Sequence, residues 1–286
     1  MTESQLGVLL AVAAAVCWVV SDILRKRLAE QIDAVPLLWG MIAAQIPIFV
    51  AVALVAPAPV NWSAYAVPGL ATLLINLVAN VAMVRALAIG ALSRTIPILS
   101  LTPAITVLTA AMLLGEVPSA AQGLGIGLSV IGTVALAVDR SQGRFRLEPG
   151  ILLMLGVAAA WSLSAAVDKV ALKHISVAGH GAVQSIGLWL ALSLLISMGY
   201  ERKNLGALRS VVVPIILAAL VMAAASSLQY LAVNRTLVSL VETIKRALGG
   251  ATALAIGATF FNEHVGARHI LAGLLVVIGT ALVLQP

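Results

Sequence analysis

Apolar stretches of about twenty residues follow one another along this chain with only short connections between them. A helix that crosses the hydrocarbon of a bilayer needs about twenty such residues. Ten stretches qualify, at 6–24, 36–55, 66–86, 95–114, 119–138, 150–168, 180–199, 211–233, 238–260 and 267–284. None alternates strictly, as a barrel strand does, and backbone groups in lipid must be satisfied within the segment or a closed barrel. The expectation is an all-α, polytopic membrane protein of ten transmembrane helices. Composition agrees. Only 10% of the residues are Asp, Glu, Lys or Arg, against about 25% in a soluble domain. That excludes a soluble enzyme, a nucleic-acid-binding domain and a disordered chain. The leading MTESQ lacks the basic start of a cleavable signal, so the first stretch is expected to remain. One cysteine, Cys17, excludes an internal disulfide and a cysteine metal cluster.

The two halves repeat. GVLLAVAAAVCWVVSDILRKR from Gly7 matches GILLMLGVAAAWSLSAAVDKV from Gly150. Trp18 falls on Trp161, Ser21 on Ser164 and Lys26 on Lys169. At the half-ends, Glu116 corresponds to Glu263 and Ile131, Gly132 and Thr133 to Ile278, Gly279 and Thr280, at an offset four residues larger. The organisation is a first five-helix repeat over 1–138, a connecting loop over 139–149 (DRSQGRFRLE at its heart) and a second repeat over 150–286. Five is odd, so the second repeat enters from the opposite side and the repeats are inverted. Inverted repeats are a recurring plan of secondary transporters, with the site near the midplane between the halves. A duplicated membrane subunit or sensor that moves nothing is the alternative from another class.

Twelve of the 17 Lys and Arg residues lie on the side reached by odd-numbered stretches, including Arg25, Lys26, Arg85, Arg94, Arg140, Arg144 and Arg146. The other side collects Lys169, Lys173 and Arg235. Short basic loops stay cytoplasmic, so the charge count puts both termini outside.

Stretch nine carries charge inside apolar sequence: LVSLVETIKRALGGATALAIG, with Glu242, Lys245 and Arg246. A cation at membrane depth faces a cavity or a partner. Glu242 lies three and four residues before the two cations, within pairing distance on a helix. One carboxylate cannot neutralise two cations, so the surplus invites an anion. An internal salt bridge or snorkelling is the structural alternative.

Other candidates for the site are Asn76 and Asn80, which share a helix face, and Gln229 and Tyr230, clustered with Ser226 and Ser227. The repeat-related Trp18 and Trp161 flank a cavity or pack between the repeats. Arg94 reaches the cavity mouth or anchors the interface. Asp22 is expected to pair at the surface with Arg25 and Lys26, and Asp168 with Lys169 to mark a helix boundary. Pro97 and Pro103 in stretch four and Gly249 and Gly250 in stretch nine are weak points where a helix can bend. Gly123, Gly127 and Gly132 allow close helix approach, within the monomer or in a homodimer. Glu116 and Glu263 sit in turns where a carboxylate can satisfy free backbone donors. The histidines at 174, 180, 264 and 269 form no metal-ligand pattern with acidic neighbours. With no paired acids, Ser–His arrangement or ATP-binding motif, neither an enzyme nor a cofactor is expected.

The ten stretches, the inverted halves, and strings such as LLGEVPSAAQGLGIGLSVIGTVAL and ALAIGALSRTIPILSLTPAITVLTAAMLLGE resemble the EamA-type branch of the drug/metabolite transporter superfamily, bacterial members included. The resemblance covers essentially the whole chain. It implies a multi-pass protein of a bacterial inner membrane, with a central cavity lined by stretches 1, 3, 4, 6, 8 and 9. It also implies cytoplasmic termini, the reverse of the charge count. Relatives of this kind move amino acids, nucleotide sugars, sugar phosphates and other small metabolites. The Lys245–Arg246 pair is similar to the ninth-helix pair of plastid triose-phosphate transporters, which implies contact with an anion. The expected function is therefore secondary transport, by export or exchange, of a small polar metabolite, anionic or zwitterionic. Lys245 and Arg246 would hold its acid group, and Glu242 would orient them or hold an amine. The partners expected are this small molecule and membrane lipid, not nucleic acid. A flippase for a phosphate-bearing lipid or lipid-linked sugar is the alternative within transport.

Overall fold

A computed structural model describes residues 3–90, 95–137, 149–260 and 267–283. Among them every regular element is helical. The first half holds α1 (Glu3–Ala29), α2 (Ala34–Val55), α3 (Trp62–Ile89), α4 (Thr102–Leu114) and α5 (Ala120–Ala137). The second holds α6 (Pro149–Ala171), α7 (Val177–Ser197), α8 (Val212–Val233), α9 (Val238–Phe260) and α10 (Ala267–Val283). Short 3-10 segments, Ile96–Leu101 and Arg202–Val211, lead into α4 and α8. The ten helices coincide with the ten apolar stretches, most bounds shifting by a few residues. Among the described residues six helical stretches are long and apolar enough to cross a membrane: α1, α2, α3, α6, α7 and α8 with the turn before it. Apolar parts of α4, α5 and α10 are shorter. Outward faces of these helices are apolar, with Val55 of α2, Val67 of α3 and Met112 of α4 between 77% and 86% exposed. Such a surface is a liability in water and ordinary against lipid tails.

Helix pairing follows the repeat. By sequence α1 corresponds to α6, and so on to α5 and α10. The four most extensive contacts join α1 with α8, α3 with α6, α2 with α7 and α5 with α10. A two-fold relation between the halves demands this set: it exchanges the first two pairs and maps each of the others onto itself. The two ends of the bundle are tied separately. On the amino-terminal side Gly7 approaches Arg235 and Thr236, and Asn61 N donates to the His174 carbonyl at 2.9 Å. On the far side Glu201 accepts from Arg85 at 2.6 Å and from the Val35 backbone at 2.7 Å. Lys26 donates there to the Leu87 and Gly90 carbonyls that end α3, at 2.8 and 3.1 Å. Helix α1 thus begins where α6 ends, so the repeat-related helices run antiparallel.

The expected weak points divide. Stretch four does break: the chain from Ile96 to Leu101 is 3-10, and Pro103 sits in the first turn of α4, where its missing N–H costs nothing. Stretch nine does not, and α9 runs unbroken through Gly249 and Gly250.

The glycines of α5 divide too. A Cβ at Gly132 would lie 2.7 Å from the Ala272 carbonyl oxygen, so this glycine lets α5 and α10 touch within the chain. Gly123 and Gly127 face open space. Gly132→Ala is expected to lower stability by about 1–3 kcal/mol through overpacking, and Gly123→Ala to leave it unchanged or slightly raised. Thermal unfolding in detergent reads both.

Candidate functional site

The α9 cations set the centre of the site. Lys245 and Arg246 are adjacent, so their side chains diverge by about 100° around the helix. Glu242, one turn earlier and 1% exposed, takes both: Lys245 Nζ donates to one carboxylate oxygen at 2.7 Å and Arg246 Nη2 to the other at 3.1 Å. Each cation then meets a different tryptophan. Lys245 lies 5.6 Å from the centre of the Trp18 ring, and Arg246 lies 5.3 Å from that of Trp161. The repeat-related indoles therefore each present a π-face to one member of the pair, an attraction of about 2 kcal/mol or more when desolvated. Gln229 joins the halves, because its Oε1 accepts from Trp18 Nε1 at 2.8 Å and from Lys245 at 2.6 Å.

These groups line one cavity with about 100 Å³ of room, several times what a water needs. Asn76 and Asn80 of α3 and Ser226 and Tyr230 of α8 also line it. Asn76 donates to Thr72 at 3.2 Å and Asn80 to the Asn76 carbonyl at 2.8 Å. Nine of the ten residues expected in the site thus meet around one space: Trp18, Asn76, Asn80, Trp161, Gln229, Tyr230, Glu242, Lys245 and Arg246. The tenth, Arg94, lies outside the described residues, as does Glu263.

Two carboxylates expected elsewhere belong here. Asp22 does not pair at the surface; it lines the cavity beside the α9 cations, and its Arg25 partner, 3.9 Å away, is wholly buried. Asp168 does not mark a boundary either. It lines the cavity and is 5% exposed. Its carboxylate accepts from Thr72, from Ser164 at 3.4 Å and contacts His180 Nε2 at 3.2 Å. His180, completely buried, meets the Tyr65 hydroxyl through Nδ1 at 2.9 Å. Its ring stands edge-on to that of Tyr230, centroids 4.9 Å apart. Gln184 donates to Tyr65 and to the Gly69 carbonyl, at 3.3 and 2.8 Å. One signal for this cluster was in the sequence: Trp161, Ser164 and Asp168 recur at three and four residues, so they share a face of α6.

Glu116 is structural, but not through its own helix. The left-handed Gly115 (φ +69°) ends α4 and turns the chain. Glu116 then accepts from the backbone N–H of Val238, the first residue of α9, at 2.9 Å and from Lys169 at 2.6 Å. The carboxylate satisfies a free donor and faces the positive end of the helix dipole. It fixes where α9 starts, two turns before Lys245.

Among the described residues no three His, Cys, Asp or Glu side chains gather as metal ligands. The chemistry on offer is recognition: two cations, three carboxylates, amides and aromatic faces in a small apolar-walled space.

A crystal structure described only as that of a protein is similar over 96% of this chain and 95% of its own, with a TM-score of 0.71 and 17% identity. At that identity the likeness concerns the fold alone. No curated protein matches the chain. The sequence profile of the EamA-like transporter family matches residues 5–138 and again 148–285, one match per repeat. This multi-pass integral membrane protein belongs to the EamA-like transporter family.

Proposed function

We propose that the protein is a secondary transporter of ten membrane crossings that carries a small zwitterionic metabolite, of the amino-acid kind, by alternating access. Its direction is export or exchange, and its setting a bacterial inner membrane. The observation behind the choice of substrate is charge balance. Lys245, Arg246 and Arg25 stand against Glu242, Asp22 and Asp168 in and directly behind the cavity wall. Three cations match three carboxylates, so the surplus positive charge expected from α9 alone disappears once Asp22, Asp168 and Arg25 are counted with it. A substrate with net charge would upset that balance in a poorly solvated space. One with both an acid group and an amine keeps it. Lys245 and Arg246 receive the acid group and Asp168 the amine. The amides of Asn76, Asn80 and Gln229 supply neutral contacts.

Thermal unfolding of the purified protein tests this across amino acids, their deaminated analogues, phosphorylated metabolites and phospholipids. A ligand of the folded state stabilises it by about 2.7 kcal/mol at a hundred times its Kd. The expected result is a shift from a zwitterion that vanishes in Lys245→Ala and Arg246→Ala. A shift from phosphate-bearing lipid alone would instead support a flippase. Binding without flux in vesicles would support a sensor or subunit.

A further inference from the structure

The repeat pairs two residues of the cavity with two that the cavity does not reach. At the 143-residue offset that relates Trp18 to Trp161, Ser164 corresponds to Ser21 and Asp168 to Arg25. Ser164 and Asp168 line the cavity, and each has hydrogen-bond partners. Along α1, Ser21 lies about one turn past the cavity residue Trp18 and Arg25 about one turn past the cavity residue Asp22, toward the far side, and both are 0% exposed. Neither has all its hydrogen-bonding groups satisfied there, although the Arg25 guanidinium lies 5.4 Å from the centre of the Trp18 ring. The Ser21 hydroxyl and the Arg25 Nε and Nη1 have no hydrogen-bond partner among the described residues. Arg25 Nη2 donates to the Met222 thioether at 2.7 Å, a weak acceptor, and Asp22 is 3.9 Å away. A buried, under-satisfied guanidinium is unfavourable in this conformation. It has a use if another conformation opens it.

We propose that Ser21 and Arg25 are the far-side half of the substrate path. In a pair of inverted repeats the second access state is reached when the halves exchange arrangements around the central site. Ser21 and Arg25 then line a cavity open to the far side, as Ser164 and Asp168 line the present one. The exchange is not symmetric in charge. The present cavity offers a carboxylate at this position, whereas the far-side cavity offers a guanidinium. Arg25 therefore receives the acid group of the substrate, a carboxylate or phosphate, on its way to or from the far side. This rests on the transport reading above.

Side-specific labelling tests it. Ser21→Cys and Ser164→Cys, each with Cys17→Ser, are placed in right-side-out and inverted membrane vesicles and exposed to an impermeant maleimide. Uptake of a radiolabelled amino-acid mixture is measured in the same vesicles. Ser164→Cys is expected to react from one face and Ser21→Cys from the other. Uptake with a Ser21→Cys that reacts only after denaturation overturns this inference and leaves transport intact. Labelling from the far face without uptake upholds the inference and sinks the substrate assignment. Neither labelling nor uptake overturns both. Arg25→Met gives a second readout: at least a tenfold lower uptake, largely rescued in Arg25→Lys, with an unfolding temperature no lower than wild type. A purely structural Arg25 would show the reverse, a less stable Met variant with undiminished uptake per folded molecule.

Discussion

Glu242→Gln is expected to lower thermal stability more than Lys245→Met. Glu242 is the shared counter-charge of two buried cations, and glutamine removes the charge while keeping the shape. Breaking a buried pair by removing one partner typically costs about 3–5 kcal/mol, since the other charge is left uncompensated. Here two cations lose their shared anion at once. Lys245→Met is expected to cost far less, because the Glu242–Arg246 pair survives and the apolar side chain still packs on Trp18. The double variant Glu242→Gln with Lys245→Met should recover a large part of the loss, which a double-mutant cycle by thermal unfolding measures as coupling. If Glu242→Gln is no less stable than Lys245→Met, the three charges do not act as one unit. The tryptophans and Gln229 then hold the cations without it.

Helix content was legible because lipid and core impose the same demand, long apolar stretches, and each such stretch of this chain became a helix. The repeat was legible because the tryptophans and first glycines keep one offset and the half-end glutamates and glycines keep another, four residues larger. Asn76 and Asn80 were legible because they sit mid-helix in α3, and Lys245 and Arg246 because a cation inside an apolar stretch needs a cavity or a partner. Asp22 and Asp168 were misassigned for a physical reason. Both lie within two turns of a helix end, where a carboxylate usually meets water, and only packing decides otherwise. Asp168 is enclosed because the turn after α6 returns the chain so that His180, twelve residues on, comes back against it. His180 lies in the first turn of α7, where a side chain commonly meets water, yet it is completely buried among Tyr65, Tyr230 and Asp168. Four helices, α3, α6, α7 and α8, meet there, and no single stretch of sequence carries that meeting.

Asp168→Asn is expected to change which ligands bind without loosening the fold. Among the described residues the carboxylate has no Lys or Arg partner, only Thr72, Ser164 and His180. Asparagine nearly matches its shape, and its carbonyl oxygen still accepts from Thr72. Removing a poorly compensated buried charge tends to be neutral or stabilising, so the unfolding temperature should stay level or rise. Binding should respond differently. If Asp168 receives the amine, its neutralisation removes one side of a buried charge pair, an effect of about 2–5 kcal/mol, or 30-fold and more in Kd. The loss falls on the zwitterion alone. Its deaminated analogue keeps the contacts to Lys245 and Arg246 and no longer faces a carboxylate, so its affinity should hold or improve. Competition binding of an amino acid and its deaminated analogue to the two proteins gives the result directly, as a change in their ratio. A ratio that stays constant would detach Asp168 from the ligand and leave it as part of the packing around His180. An inverted ratio would mean that a single carboxylate sets the choice between zwitterion and anion, on a fold whose cations serve either.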